Sequence, residues 1–255
     1  MSWSRLDDFR ISYFESLKEF PHALDIITEL KLNEDIQEVA PWVKGMSRLR
    51  KLKLYNCNNL VSLPQLSDSL SYLDADNCQS LERLDCTFNN PDISLKFFKC
   101  FNLNQEARDL IMHTSTSQFA ILPGTQVPAC FNHLEMLPDT SGGSLTIKLN
   151  ESPLPTSLRF KACIMLVKVN EEAGDNPDQL EVNIDIRDKQ NDLPVLCTPS
   201  HHSIEPLLTE HIYTFEVETE EVTSTELVFE FKTDNSKWKI GECGLLQILE
   251  VPSVL

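Results

Sequence analysis

In the first third of the chain, apolar residues alternate with polar ones in short bursts, and the bursts recur at a nearly fixed distance. Leu49-x-x-Leu52-x-Leu54-x-x-Cys57-x-x-Leu60 returns as Leu70-x-x-Leu73-x-Ala75-x-x-Cys78-x-x-Leu81, displaced by 21 residues at every matched position. Upstream, Ile27-x-x-Leu30-x-Leu32 precedes Leu49-x-x-Leu52-x-Leu54 by 22 residues, and Leu6-x-x-Phe9-x-Ile11 lies another 21 ahead. Period-two alternation over so few residues predicts one short strand per unit, closed by a return turn. Such a unit cannot bury its apolar face alone, so neighbouring units must stack.

The spacing is that of a leucine-rich repeat, and about four units are read over residues 1–88. Cys57 and Cys78 occupy the slot after the strand, where a small side chain packs under the turn and is unreactive. Leu17-x-x-Phe20-Pro21 and Leu60-x-x-Leu63-Pro64 also correspond, with proline closing a turn that needs no ladder N–H. The first unit shows no capping segment, so the array reads as cut at its beginning. With the leucines turned inward, the residues between them line the opposite face. These are Asp8, Arg10 and Ser12, then Glu29, Lys31 and Asn33, then Lys51, Lys53 and Tyr55, then Tyr72, Asp74 and Asp76. Lys53, Tyr55, Tyr72, Asp74 and Asp76 are the predicted partner-binding set, because mixed charge beside two tyrosines suits protein recognition.

After Leu84 the repeat is read as stopping, and the apolar stretch 93–103 is expected to cap it. Asn104 can cap a helix from Gln105 to about His113, whose Ala107, Leu110 and Ile111 form one apolar face. Residues 89–117 thus form a junction. From Phe119 the period becomes two, with strands predicted at 119–122, 144–149, 160–169, 180–187, 211–217, 226–231 and 238–249. Seven strands with almost no helix predict an antiparallel jelly-roll or immunoglobulin-like β-sandwich over 118–255. Long loops are expected at 137–143, 171–179 and 189–210, where sandwiches commonly carry binding. The fold class is mixed and mainly β: a short leucine-rich-repeat solenoid followed by this sandwich.

Charge narrows the partners. The chain carries a formal charge of -17, with 10 Lys/Arg against 24 Asp/Glu over residues 105–255. That surface repels phosphate and anionic lipid, which argues against direct nucleic-acid or membrane binding and for a protein partner. The N-terminus lacks a secretory pattern, and no apolar run approaches a membrane span, so a cytoplasmic location, extending to the nucleus, is expected. Eight cysteines without a C-x-x-C pair read as reduced thiols. Enzyme motifs such as G-x-S-x-G and H-E-x-x-H are absent, and no cofactor is implied. Cys197 with His201 and His202 is the nearest approach to a metal set but lacks a second ligand pair. The acidic run 216–221 lacks a calcium loop. Trp238, Tyr213 and Phe229 read as core; exposure of two in one groove would indicate a sugar-binding sandwich instead.

The residues resemble the C-terminal part of plant TIR-NB-LRR immune receptors, whose final repeats run into a C-terminal jelly-roll/Ig-like domain (C-JID). The resemblance rests on Leu60-Val-Ser-Leu-Pro-Gln-Leu66, Leu70-Ser-Tyr-Leu-Asp-Ala-Asp-Asn-Cys78 and Ser80-Leu-Glu-Arg-Leu84. It continues through Phe97-Phe-Lys-Cys-Phe-Asn-Leu103, Leu122-Pro-Gly-Thr-Gln-Val-Pro128 with Phe131, Ser144-Leu-Thr-Ile147 and Cys243-Gly244. It implies recognition of pathogen effector proteins in innate immunity, by the concave repeat face and the loops beyond it. The family's nucleotide loop G-x-x-x-x-G-K-[ST] does not occur, so neither nucleotide switching nor the NAD chemistry of a TIR domain carries over. The alternative implied is a decoy or scaffold that binds full-length receptors.

Overall fold

The computed structural model describes residues 9–10, 26–33, 36–131, 135–136, 142–149, 154, 157–168, 180–204, 211–234 and 238–248. The chain is mainly β and divides into two compact units, Met1–Pro123 and Gly124–Leu255.

The first unit is organised by a parallel ladder. Strands β1 (Phe9–Arg10), β2 (Glu29–Asn33), β3 (Lys51–Tyr55), β5 (Tyr72–Asp76), β7 (Ser94–Lys96) and β8 (Phe119–Pro123) pair in that order. The two-residue strands β4 (Ser62–Leu63) and β6 (Arg83–Leu84) pair separately, also in parallel. Register follows the repeat: Leu30 lies beside Leu52, Leu52 beside Leu73, and Leu73 beside Leu95. Those four leucines and Leu54 are fully buried. Each such side chain contributes about 1.5–3 kcal/mol relative to exposure.

Turns repeat as closely as strands. Asn56, Asn77 and Lys99 each follow a strand with φ of 55°, 55° and 54°, the left-handed region that asparagine tolerates better than most residues. Asn77 donates to Asn56 Oδ1 at 2.7 Å, which joins one turn to the next. The cysteine slot is filled three times. Cys57 donates to the Leu32 carbonyl at 3.6 Å, Cys78 to that of Leu54 at 3.6 Å, and Cys100 to that of Ala75 at 3.0 Å. Hydrogen bonding with Cys78 and then burial push the Cys57 and Cys100 thiols far above the ordinary range, so both stay protonated packing groups.

Cys100 corrects the sequence reading, because the ladder does not stop after Leu84. Leu95, Phe97, Cys100 and Leu103 repeat Leu73, Ala75, Cys78 and Leu81 at a displacement of 22 residues, and all four are buried. The stretch expected to be a cap is another rung. Likewise, the strand expected to open the sandwich is β8, which pairs in parallel with β7 through Leu95 and Ala120. The residues predicted to form the helix do so as α1 (Gln105–His113). Asn104 Oδ1 accepts from the Ala107 N–H at 2.8 Å, and Ala107 and Ile111 are buried while Leu110 is only partly so. Arg108 bonds the Leu103 and Pro123 carbonyls and so fixes the helix to the ladder. Replacing Asn104 with alanine is expected to lower stability by about 1 kcal/mol, measured by denaturant unfolding.

The second unit is built from two antiparallel sheets. In one, β16 (His211–Glu220), β11 (Ser157–Lys168), β18 (Trp238–Ile248) and β9 (Glu135–Met136) lie in that order, with β14 (Cys197–Thr198) on the far side of β16. In the other, β10 (Gly142–Lys148), β17 (Glu226–Thr233), β12 (Leu180–Asp188) and β13 (Pro194–Val195) follow one another, and β15 (His201–Ile204) also pairs with β12. Burial alternates along β12, with Leu180, Val182, Ile184 and Ile186 inward. The two inner faces meet through aromatic rings: Phe160 on β11 meets Phe229 on β17 edge to face at 4.9 Å, and Phe215 on β16 meets Phe231 at 6.3 Å. Gly241 is the extra residue of a bulge in β18 opposite Met165 and Leu166. A Cβ there would lie 2.6 Å from Val167 Cγ2 and 2.9 Å from Met165 Cε, so any other residue must displace those side chains.

The predicted strands are present to within a few residues at each end. The segment 189–210, read as one loop, carries three short strands before residue 205; residues 205–210 lie outside the described ones, as do 137–141 and 171–179 of the other predicted loops.

Candidate functional site

The face of the parallel ladder opposite the buried leucines brings the predicted residues together. Lys53 and Tyr55 stand on β3, and Tyr72, Asp74 and Asp76 on β5. Register places Lys53 beside Asp74 and Tyr55 beside Asp76, because the repeat puts equivalent positions at the same height. Lys53, Tyr55, Tyr72 and Asp76 are half-buried, whereas Asp74 is only 7% exposed. Asp8 and Ser12 lie outside the described residues, and of Arg10 only the backbone is described.

Tyr72 is the centre of the group. Its hydroxyl donates to Asp74 Oδ2 at 3.3 Å, and its ring lies 5.8 Å from Lys53 Nζ and 5.5 Å from Lys96 Nζ. An ammonium at such a distance is attracted to the ring, by about 0.5–1 kcal/mol when exposed and ~2 kcal/mol when desolvated. Lys96 also lies 5.9 Å from the Phe98 ring and 5.7 Å from that of Phe119, and it is only 5% exposed. On the other side, Lys53 and Lys31 both reach Glu29 Oε1, at 3.1 Å and 3.4 Å. Burial opposes the Glu29 charge, but the two lysines outweigh it and hold the carboxyl below its ordinary range. Burial, then the Asp74 carboxylate, pushes the Tyr55 hydroxyl up, so it remains a neutral donor. The face is therefore a rigid phenol between lysines, with carboxylates at its margins.

Lys96, Phe98 and Phe119 were not among the predicted residues. Lys96 and Phe98 alternate with the inward Leu95 and Phe97 as Asp74 and Asp76 alternate with Leu73 and Ala75. The Cys78-to-Cys100 displacement is the signal that finds Lys96 and Phe98.

Other candidates separate in space. Cys197 donates to the Ile184 carbonyl at 3.6 Å, His201 is exposed, and His202, the next residue on β15, turns inward against Phe215 with ring centroids 4.4 Å apart. Among the described residues no cluster of three or more His, Cys, Asp or Glu could hold a metal ion. Tyr213, Phe229 and Trp238 are buried at 1%, 0% and 8% exposure, so they form no sugar-binding groove. Among the described residues no helix is long and apolar enough to cross a membrane.

Comparison with known proteins defines the class. Residues 122–218 match the C-JID domain family, a non-catalytic module. The chain is homologous to plant disease resistance proteins and corresponds to the C-terminal part of the TIR-NB-LRR type. It is similar to the probable disease resistance protein RPP1 of Arabidopsis thaliana, 70% identical over 97% of this chain and 20% of that protein. It is also similar to the Arabidopsis thaliana disease resistance protein TAO1, at 49% identity over 72% of this chain and 15% of TAO1. The disease resistance-like protein DSC2 of the same plant is 37% identical over 87% of this chain and 21% of its own length. The chain thus spans about a fifth of the length of these relatives.

Proposed function

We propose that this chain is a protein-recognition region of a plant innate immune receptor that senses pathogen effector proteins in the cytoplasm. In this reading the parallel ladder is a leucine-rich-repeat solenoid and the second unit a jelly-roll/Ig-like domain. Lys53, Tyr55, Tyr72, Asp74 and Asp76 make the contacts. The observation that carries it is Tyr72, held between Lys53 and Lys96 and hydrogen-bonded to Asp74. A phenol so fixed offers contact area at low entropic cost, beside both signs of charge.

The test is co-purification from plant cells of the 255-residue chain with a panel of candidate effectors, using the native sequence and a Tyr55→Ala/Tyr72→Ala/Asp74→Ala variant. Capture of an effector by the native chain, reduced about tenfold or more in the variant, is expected. Equal capture by both would remove the ladder face from recognition. Capture of a full-length disease resistance protein in place of an effector would favour the decoy or scaffold reading.

A further inference from the structure

The second unit exposes two leucines that its own fold does not use. Leu193 is 59% and Leu196 67% exposed, the largest values among the exposed large apolar residues of the described chain. They flank β13, where the chain leaves one sheet at Val195, paired with Ile186, and joins the other at Cys197, paired with Thr219. Three residues of extended chain put them within about 10 Å of each other.

Their backbone is fixed. The Leu193 N–H donates to Asn191 Oδ1 at 3.0 Å, and its carbonyl accepts from the Asp188 N–H at 2.9 Å. The Leu196 carbonyl accepts from the Glu220 N–H at 3.0 Å. Apolar side chains on a pinned backbone lose little further freedom on binding, which is the requirement for an anchor.

Acidic side chains stand beside Leu196. Continuing the Cys197–Thr219 and Thr198–Glu218 register sets Leu196 opposite Glu220, on the same face as Glu218. Glu218, Glu220 and Glu221 are all exposed. Nearby cations are already engaged: Arg187 pairs with Asp192 at 3.6 Å, Lys189 with Glu226 at 3.1 Å, and Arg159 with Glu216.

We propose that Leu193 and Leu196, rimmed by Glu218, Glu220 and Glu221, form a docking site for a basic amphipathic protein segment. Its apolar side chains would cover the leucines while its lysines or arginines meet the carboxylates. Its residues are not those of the recognition face proposed above, so the Tyr72 and Asp74 variants leave them unchanged and either proposal can fail alone.

The test uses the whole chain and a labelled amphipathic peptide built only of leucine and lysine, followed by fluorescence anisotropy. The native chain is expected to bind it. A Leu193→Ser/Leu196→Ser variant should bind about tenfold or more weakly, and a Glu220→Gln/Glu221→Gln variant should lose most of the salt dependence. Both should melt with the native chain, since the altered side chains are exposed. Undiminished binding by the leucine variant, or equal binding of a serine-for-leucine peptide, would overturn the proposal by leaving charge alone. So would leucine-dependent self-association in sedimentation, which would make a second copy the occupant. Leucine-dependent binding to phosphatidylserine vesicles would assign the patch to a membrane and overturn it equally.

Discussion

Replacing Phe229 with alanine is expected to destabilise the second unit by about 3–5 kcal/mol. Phe229 is fully buried on β17, where its edge-to-face contact with Phe160 crosses from one sheet to the other. Its flanking partners are fixed by register, Leu145 on β10 and Ile186 on β12, and both are buried. A cavity there is walled by strands paired on both sides, which cannot collapse inward without breaking the ladder. Phe229→Leu retains most of the volume and should cost distinctly less. Urea unfolding of the two variants, followed by near-ultraviolet circular dichroism, checks the ranking; equal losses would contradict it.

Acid should weaken the same unit through His202. Burial, and secondarily the neighbouring His201, hold its imidazole down at about 4. The ring packs against Phe215, its Nδ1 lies 3.4 Å from the Tyr213 hydroxyl, and its buried Nε2 has no hydrogen-bond partner among the described residues. An unfolded histidine takes up a proton as pH falls through about 6.5, whereas this one refuses it until about 4. The folded pKa is depressed, so the stabilisation is fully present above the unfolded value and is lost as pH falls between the two. The loss amounts to roughly 3 kcal/mol. His202→Phe keeps an aromatic ring against Phe215 without a titrating group. Denaturation midpoints at about pH 7 and about pH 4.5 should fall further in the native chain than in the variant; parallel falls would exclude His202 as the source.

Much of this architecture was legible because it is local. Period-two alternation located β11, β12, β16, β17 and β18 to within a few residues, and Asn104 capped its helix as its side chain required. The 21-residue displacement puts Lys53 and Asp74 at equivalent positions of successive units, and the ladder pairs them because stacked units align such positions. Where the pattern loosened, the reading failed. The rung carrying Cys100 is displaced by 22 residues and replaces Ala75 with Phe97, so the apolar stretch 93–103 reads as a cap. With that rung went Lys96 and its ring of aromatics. Pairing order is a further limit: a strand of five residues such as β8 reads the same whether its neighbour runs parallel or antiparallel, because alternation records which face is buried and not which strand lies beside it. Leu193 and Leu196 fall in the segment 189–210 that reads as a loop, where no alternation records which side chains are buried, so their exposure is visible only in the structure.

The most direct test of the account is hydrogen–deuterium exchange of the chain with and without an effector captured by co-purification. The account predicts slowed exchange at the backbone amides of Lys51–Tyr55 and Tyr72–Asp76, including those that carry Tyr55, Tyr72 and Asp74. Protection confined to the unit Gly124–Leu255, with both ladder strands unchanged, would contradict the assignment of recognition to the ladder face.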